Sequence, residues 1–156
     1  MSTSPRNSLD RFLAEQEGVY DKALSEIRGG RKRTSWMWFI FPQLRGLGRS
    51  AQADFLGIQD LEEAQRYLAH PVLGARIHEC ARAALEIIDG SAFQVFGFPD
   101  HLKLRSCATL FSRASPSPNI FDALLEKFYD GDPDPLTIER LQLDPKRPPY
   151  KNNLEN

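Results

Sequence analysis

Apolar residues recur at intervals of three and four along most of the chain, which is the period of an amphipathic helix. The first such stripe runs from Leu9 to Ile27, after Ser8, which is a plausible N-cap. Gly29-Gly30 closes it, because glycine accepts the left-handed conformation that ends many helices. We therefore predict one helix from Leu9 to Ile27, although Gly18 lies inside it.

Five further segments show the same period, each with a residue that starts or stops a helix. They are a helix capped by Asp60 that stops before Pro71, one from Pro71 to Gly90, one capped by Asp100, one opened by Asn119 and Asp122 and ended by Gly131, and a short one near Leu136 to Leu141 capped by Asp134. The pattern predicts an all-α fold, a single compact domain of about six to seven helices in an orthogonal or horseshoe-like bundle.

The six apolar residues from Trp36 to Phe41 have no clear period, so they suit either a buried strand or a buried helix. Aromatic content favours a strand, but a lone strand among helices has no pairing partner. We predict a short, fully buried helix capped by Ser35 or Thr34. In either form, this segment is expected to be the centre of the core.

The chain has 156 residues, a length typical of one domain with a sizeable core. We predict a flexible N-terminus over 1–7, a helical domain over 8–143 and a loose extension over 144–156. No apolar run is long enough to cross a bilayer, and the start does not resemble a signal peptide, so no membrane partner is expected. Cys80 and Cys107 lack Cys-x-x-Cys spacing, which suits free thiols in the cytoplasm. The oligomeric state stays open.

Positive charge is concentrated in one part of a chain whose formal net charge is −1. Between Ile27 and Ala53 there are six cationic residues and no Asp or Glu: Arg28, Arg31, Lys32, Arg33, Arg45 and Arg49. Such a segment around the most apolar part of the chain suggests an anion site. The alternative is a basic loop exposed to solvent.

Two glycines follow the aromatic run, in Gly46-Leu47-Gly48, before Arg49 and Ser50. Glycines let backbone amides approach a ligand, and Ser50 is placed to cap a following helix. The pattern is neither a Walker loop nor a dinucleotide fingerprint. A simple tight turn therefore remains an alternative.

Several motifs together resemble the family catalogued as domain of unknown function 1810. They are Gly30-Arg31-Lys32-Arg33, the run from Trp36 to Gln43, Gly46-Leu47-Gly48-Arg49-Ser50, His70-Pro71-Val72-Leu73-Gly74, Leu102-Lys103-Leu104-Arg105-Ser106-Cys107 with Thr109-Leu110-Phe111, and Gly131-Asp132-Pro133-Asp134. The resemblance spans about Leu9 to Leu141. It implies a mainly α-helical fold and no particular activity. Ser35 stands where the family usually has histidine, which suggests either a structural position or a lost function.

Metal and nucleophile motifs are not evident. His70, His78 and His101 do not share the spacing of metal ligands. Cys80 and Cys107 fall on apolar helix stripes, where a buried thiol is the default. We predict no metal site and no cofactor, and whether the protein is an enzyme stays open.

Lys103 and Arg105 flank the apolar stripe of their predicted helix, one on each side. They either extend along the edge of the core with their charges in water or complete a pocket with the basic segment. The candidate ligand-binding residues are Arg31, Lys32, Trp36, Trp38, Gln43, Arg49, Ser50, Lys103, Arg105 and Ser106. Guanidinium groups suit phosphate and tryptophan suits a planar ring, so the expected ligand is phosphate-bearing and nucleotide-like.

Two other classes of function remain open. A helical protein-interaction scaffold requires no chemistry at all. A weak nucleic-acid binder would use the same basic residues, but the net charge and the absence of a recognised module argue against it. We therefore expect a small phosphate-bearing partner, and nucleic acid is the less favoured one.

Overall fold

The computed structural model describes residues 8–142, and within that range the secondary structure is helical. It contains ten helices: α1 Asp10–Gln16, α2 Tyr20–Arg28, α3 Met37–Ile40, α4 Ala51–Phe55, α5 Leu61–Ala69, α6 Leu73–Leu85, α7 Ala92–Phe96, α8 Asp100–Arg113, α9 Ile120–Tyr129 and α10 Pro135–Leu141. The β-structure found in this range is an isolated parallel bridge between Leu44 and Ile58. The all-α prediction is confirmed, but the predicted count of six to seven helices is too low.

The predicted first helix is in fact two helices, α1 and α2. The chain turns at Gly18, whose φ is +74°, a conformation that other residues adopt at a cost. Gln16, a polar residue on the predicted apolar stripe, is buried just before this turn. Its Nε2 donates to the carbonyl of Phe39 (2.7 Å), so a tertiary hydrogen bond satisfies it.

The aromatic run forms one turn of helix, α3, which confirms the choice of helix over strand. The predicted cap was wrong, because Trp36 is the N-cap residue and no side chain caps α3. Thr34 instead donates its hydroxyl to Glu26 Oε2 (2.7 Å). The helix is not fully buried either, since Trp38 is half-buried.

Two other helix ends differ from the prediction. Helix α6 ends at Leu85, and Ile88 beyond it is 94% exposed rather than part of the buried stripe. The ammonium of Lys127 donates to the carbonyl of Leu85 (2.9 Å), the last residue of this helix. Asp100 is the first residue of α8 but not its cap, because its carboxylate lies against two lysines instead.

Two short helices have recognisable caps. Ser50 accepts from the amide of Ala53 (3.0 Å) and caps α4, as its position after the glycines predicted. Helix α7 was not predicted, although Ser91 and Gln94 form a capping box at its start. Its Ser-x-x-Gln spacing was the available signal.

One hydrophobic cluster joins buried residues from α1, α2, α3 and α5 to α9. Its largest fully buried side chains include Trp36, Tyr67, Phe12, Phe41, Phe111 and Phe121. Trp36 contacts Phe41, with ring centroids 6.5 Å apart. The aromatic run therefore supplies part of the core, as its composition suggested.

An ion pair is buried beside this core between α1 and α5. Arg11 and Glu63 have side chains 1% and 0% exposed, with Arg11 Nη2 2.9 Å from Glu63 Oε1. The guanidinium also donates from Nη1 to Glu63 Oε2 (3.1 Å) and to the carbonyls of Ser8, Phe55 and Gly57. Every N–H of this guanidinium therefore has an acceptor, which a buried charge requires.

The predicted flexible segment 1–7 and loose extension 144–156 lie outside the described residues. The domain limits and the orthogonal or horseshoe-like arrangement stay predictions. Over residues 8–142, none of the helices combines the length and the apolar character that a bilayer crossing requires.

Candidate functional site

A surface cleft of about 300 Å³ lies between the 43–48 loop, α8 and the start of α10. We call it the Lys103 cleft. It is lined by Gln43, Leu47, Gly48, Pro99, Leu102, Lys103, Arg105, Ser106, Asp134 and Leu136. Its volume is at the lower end of the range for small-molecule sites, roughly 300–1,000 Å³.

The 43–48 loop is held in place by the parallel bridge. Ile58 donates its amide to the carbonyl of Gln43 (2.9 Å), and Arg45 donates its amide to the carbonyl of Ile58 (2.7 Å). A Cβ at Gly48 would lie 2.5 Å from the Cβ of Ala53, so this position requires glycine. The absence of a side chain lets the loop pack on α4, and the same residue lines the cleft.

Helix geometry explains why Lys103 and Arg105 both line this cleft. At about 100° per residue, the two positions lie roughly 200° apart around α8. They therefore border the apolar stripe on one side of the helix and the opposite face on the other. Leu102 and Ser106 occupy that opposite face and form the middle of the lining. Because the two cations lie on either side of the stripe, as predicted, they also border the face that lines the cleft, so both reach the cleft.

Arg105 is oriented by a backbone acceptor. Its Nε donates to the carbonyl of Asp132 (3.0 Å), and its guanidinium lies 6.0 Å from the centroid of the Tyr129 ring. Its terminal amino groups donate to none of residues 8–142. This leaves the two donors that bind a phosphate or carboxylate in parallel.

Ser106 and Asp134 form the polar end of the cleft. The hydroxyl of Ser106 lies 3.0 Å from Asp134 Oδ2. The same oxygen accepts from the amide (3.1 Å) and hydroxyl (2.6 Å) of Thr137, so Asp134 caps α10 as predicted. The amide of Asp134 donates to Thr109 Oγ1 (2.8 Å). Asp134 is therefore held from both its side chain and its backbone.

A second cleft has a volume of about 480 Å³. It is lined by Arg31, Lys32, Phe93, Gln94, Val95, Phe96 and Gly97. The Lys32 ammonium lies 2.8 Å from Asp100 Oδ2, and the Lys103 ammonium lies 3.7 Å from Asp100 Oδ1. Asp100 thus stands between the two clefts and offsets part of the positive charge of each.

Each lysine also covers a tryptophan. The Lys32 ammonium is 5.0 Å from the Trp36 ring centroid, and the Lys103 ammonium is 4.1 Å from that of Trp38. Trp36 is completely buried, whereas Trp38 is half-buried. Trp38 is therefore the tryptophan whose ring lies beside a residue of the Lys103 cleft.

The predicted site residues divide into three groups. Those that line the Lys103 cleft are Gln43, Lys103, Arg105 and Ser106, and those that line the second cleft are Arg31 and Lys32. Four line neither: Trp36 is in the core, Trp38 lies under Lys103, Ser50 caps α4 and Arg49 is exposed. The predicted site residues therefore come together only in part, because the basic segment contributes to two clefts rather than one.

Sequence reasoning missed Asp134, Leu102 and Leu136 as members of the cleft. Asp134 was assigned a cap, and nothing in the chain pattern links it to Ser106, 28 positions away. Leu102 and Leu136 are exposed apolar residues on their helices. No periodicity rule identifies such residues, because their role depends on which helix ends meet.

Glu26 anchors the loop that carries Arg31 and Lys32. Its carboxylate accepts from the amides of Arg33 (2.7 Å) and Thr34 (3.1 Å) and from the indole of Trp36 (2.8 Å). Burial alone raises the pKa of this carboxyl, but these hydrogen bonds, with that from the Thr34 hydroxyl, outweigh it and lower the pKa to about 2. The hydrogen bonds thus favour the charged form.

The pKa of Glu26 predicts a pH-dependent contribution to stability. The pKa is lowered from its ordinary value of 4.5, so the contribution is complete above about pH 4.5 and is lost as the pH falls towards 2. We expect Glu26→Gln to lower the urea midpoint at pH 7 and to have a smaller effect at pH 3. The exposed Glu17→Gln is the matched control. An unfolding difference between wild type and Glu26→Gln that is the same at both pH values would contradict this assignment.

Both cysteines are buried and free. Burial raises the pKa of the Cys80 thiol to about 12 and the pKa of Cys107 well above its ordinary value. Thiols in that state are poor nucleophiles at neutral pH. The described part of the chain also contains no group of three or more His, Cys, Asp or Glu side chains arranged to hold a metal.

Comparison with known proteins places this fold among uncharacterised relatives. The crystal structure of a conserved hypothetical protein from Mycobacterium tuberculosis is similar, with 48% identity, a TM-score of 0.86, and coverage of 88% of this chain and 99% of that one. No curated protein matches the sequence. The profile of the family described as "protein of unknown function (DUF1810)" matches residues 6–141. The chain therefore belongs to the DUF1810 family.

Proposed function

We propose that this protein binds a small, phosphate-bearing, nucleotide-like molecule in the Lys103 cleft. The observation that carries the proposal is that Lys103 and Arg105 line one cleft opposite Gln43 and Gly48. Two cations with one carboxylate leave the charged lining at +1, which favours an anion. Leu47, Leu102 and Leu136 supply apolar surface for the rest of the ligand.

The polar groups have distinct tasks in this arrangement. The terminal amino groups of Arg105 are the bidentate donors for phosphate, and Lys103 adds a second positive charge. In this proposal the Gln43 amide, which lines the same cleft, hydrogen-bonds a ring edge of the ligand. Arg49 lines neither cleft and has no part in this proposal.

The test is thermal unfolding with inorganic phosphate, sugar phosphates, nucleoside monophosphates and NAD derivatives. A molecule that binds the folded state raises the unfolding midpoint as its concentration increases. Lys103→Ala and Arg105→Ala are each expected to weaken binding of the best probe about tenfold or more, because a hydrogen bond to a charged group contributes roughly 1.5–3 kcal/mol.

Arg82→Ala is the matched control for these two variants. It removes one positive charge from an exposed position on α6 that lines neither cleft. Its affinity for the probe should equal that of the wild type. No midpoint rise with any phosphate compound, or equal losses in Arg82→Ala and Arg105→Ala, would overturn the proposal.

The alternative of a protein-interaction scaffold is favoured by two exposed aromatic residues, one in the second cleft and one next to it in sequence. Phe93 and Phe98 are 58% and 75% exposed, and both rings contact His101. Exposed aromatic patches of this kind often mark interaction surfaces. If no phosphate compound raises the unfolding midpoint, this alternative is favoured. Salt-dependent retardation of RNA or DNA would instead favour nucleic-acid binding.

We further propose that the protein works in the cytoplasm. Both cysteines are unpaired and buried, which suits a reducing compartment.

A further inference from the structure

One carboxylate lines a cleft whose other charged side chains are cationic. Asp134 repels phosphate, so its presence beside Lys103 and Arg105 weakens a site for a bare anion. Capping of α10 accounts for only one of its two carboxylate oxygens, because the three hydrogen bonds that Asp134 accepts through its side chain all end on Oδ2. Within residues 8–142 no donor reaches Oδ1.

Asp134 is also rigidly held. Oδ2 accepts from Ser106 and twice from Thr137, and the backbone amide donates to Thr109. The Thr109 hydroxyl in turn donates to the carbonyl of Arg105 (2.8 Å). Asp134 is therefore linked to the backbone of Arg105 through one turn of α8, and the Arg105 side chain is held separately by the carbonyl of Asp132 (3.0 Å). Such preorganisation lowers the cost of binding a ligand with two matching groups.

We propose that the ligand of the Lys103 cleft is a phosphate ester of a polyol, such as a sugar phosphate or a ribonucleotide, whose hydroxyl donates to Asp134 Oδ1. This inference rests on the proposed function and adds the second recognition element. An ionised carboxylate is acceptor-only, so it selects a donor such as a hydroxyl group. A site built to accept from a hydroxyl discriminates strongly against an analogue that lacks it.

Asp134→Asn separates recognition from folding. Asparagine is as good an N-cap as aspartate, so its amide oxygen can keep the hydrogen bonds to Ser106 and Thr137. Its Nδ2 then replaces Oδ1, and a donor stands where the ligand hydroxyl needs an acceptor. An unchanged helical circular-dichroism spectrum and a urea midpoint close to that of the wild type are the checks that α10 remains formed.

The probes are AMP, its 2′,3′-dideoxy analogue and inorganic phosphate, with binding measured by calorimetry. We expect the wild type to bind AMP at least tenfold more tightly than the dideoxy analogue. In Asp134→Asn this preference should fall below about threefold. Affinity for inorganic phosphate and for the dideoxy analogue should hold or increase, because a repelling charge is removed.

Asp132→Asn is the matched control. It removes the same charge two residues away, at an exposed side chain that does not line the cleft, and it keeps the backbone carbonyl that accepts from Arg105. It should retain the wild-type preference for AMP. The two variants therefore distinguish hydroxyl recognition from a general change in electrostatic potential.

The outcomes separate this inference from the proposed function. If the phosphate probes bind but the wild type does not prefer AMP, or if the preference survives in Asp134→Asn, the inference is overturned and the phosphate site stands. If no phosphate compound binds, whether inorganic phosphate, a nucleotide or a sugar phosphate of the thermal test, both are overturned. Loss of the preference in Asp132→Asn as well would also overturn the role of Asp134.

Discussion

Replacing Arg11 by methionine is expected to lower the free energy of unfolding by about 3–5 kcal/mol, the cost of breaking a buried ion pair. Methionine fills much of the arginine volume but leaves the Glu63 carboxylate buried without its cation. Three backbone carbonyls, those of Ser8, Phe55 and Gly57, also lose a donor. Urea denaturation at neutral pH measures the loss.

Arg28→Met is the matched control, because it removes an arginine from an exposed position that does not contact Glu63. Arg28 lies 3.5 Å from Glu79, and their side chains are 60% and 41% exposed. Such a pair contributes roughly 0–1 kcal/mol, so the control should stay close to wild type. Arg11→Met with an equally small loss would show that solvent or a rearrangement compensates the buried carboxylate.

Replacing Trp36 by alanine is the second large effect expected, also about 3–5 kcal/mol, since truncation of a core aromatic leaves a cavity. Trp36 is completely buried and contacts Phe41. Its indole N–H also donates to Glu26, so the variant loosens the loop that bears Lys32. The measurement is the unfolding midpoint in urea or on heating.

Two further variants separate the causes of this loss. Trp36→Phe keeps most of the apolar volume but loses the hydrogen bond to Glu26, so its stability should be intermediate. Trp38→Ala removes a half-buried ring that lies beneath Lys103 and should destabilise less than Trp36→Ala. A Trp36→Ala protein that is as stable as wild type would show that Trp36 is not a core residue.

Local sequence signals predicted the helices whose ends are set by their own residues. Asp60, Asn119, Ser50 and Asp134 all accept from the amide three residues ahead, as their spacing indicated. The missed helix α7 and the break at Gly18 had local signals, whereas other errors occur where a distant group decides the outcome. Helix α6 ends where Lys127 donates to the carbonyls of Leu85 and Ile87, and Gln16 is buried because Phe39 offers an acceptor.

The candidate site shows the same division. Lys103, Arg105 and Ser106 belong together because one helix face carries them, and the helical repeat predicts that much. Which part of the basic segment faces them was not predictable. Gln43 and Gly48 meet α8, whereas Arg31 and Lys32 meet α7.

By itself, the sequence determined the all-α class, most helix starts and the burial of the aromatic run, because periodicity and capping are properties of neighbouring residues. Only the tertiary structure decided that the basic segment serves two clefts, that Asp100 lies between them, and that Asp134 joins Arg105 and Ser106. These contacts depend on how helix ends pack against one another. That packing is a property of the whole core, which no local pattern encodes.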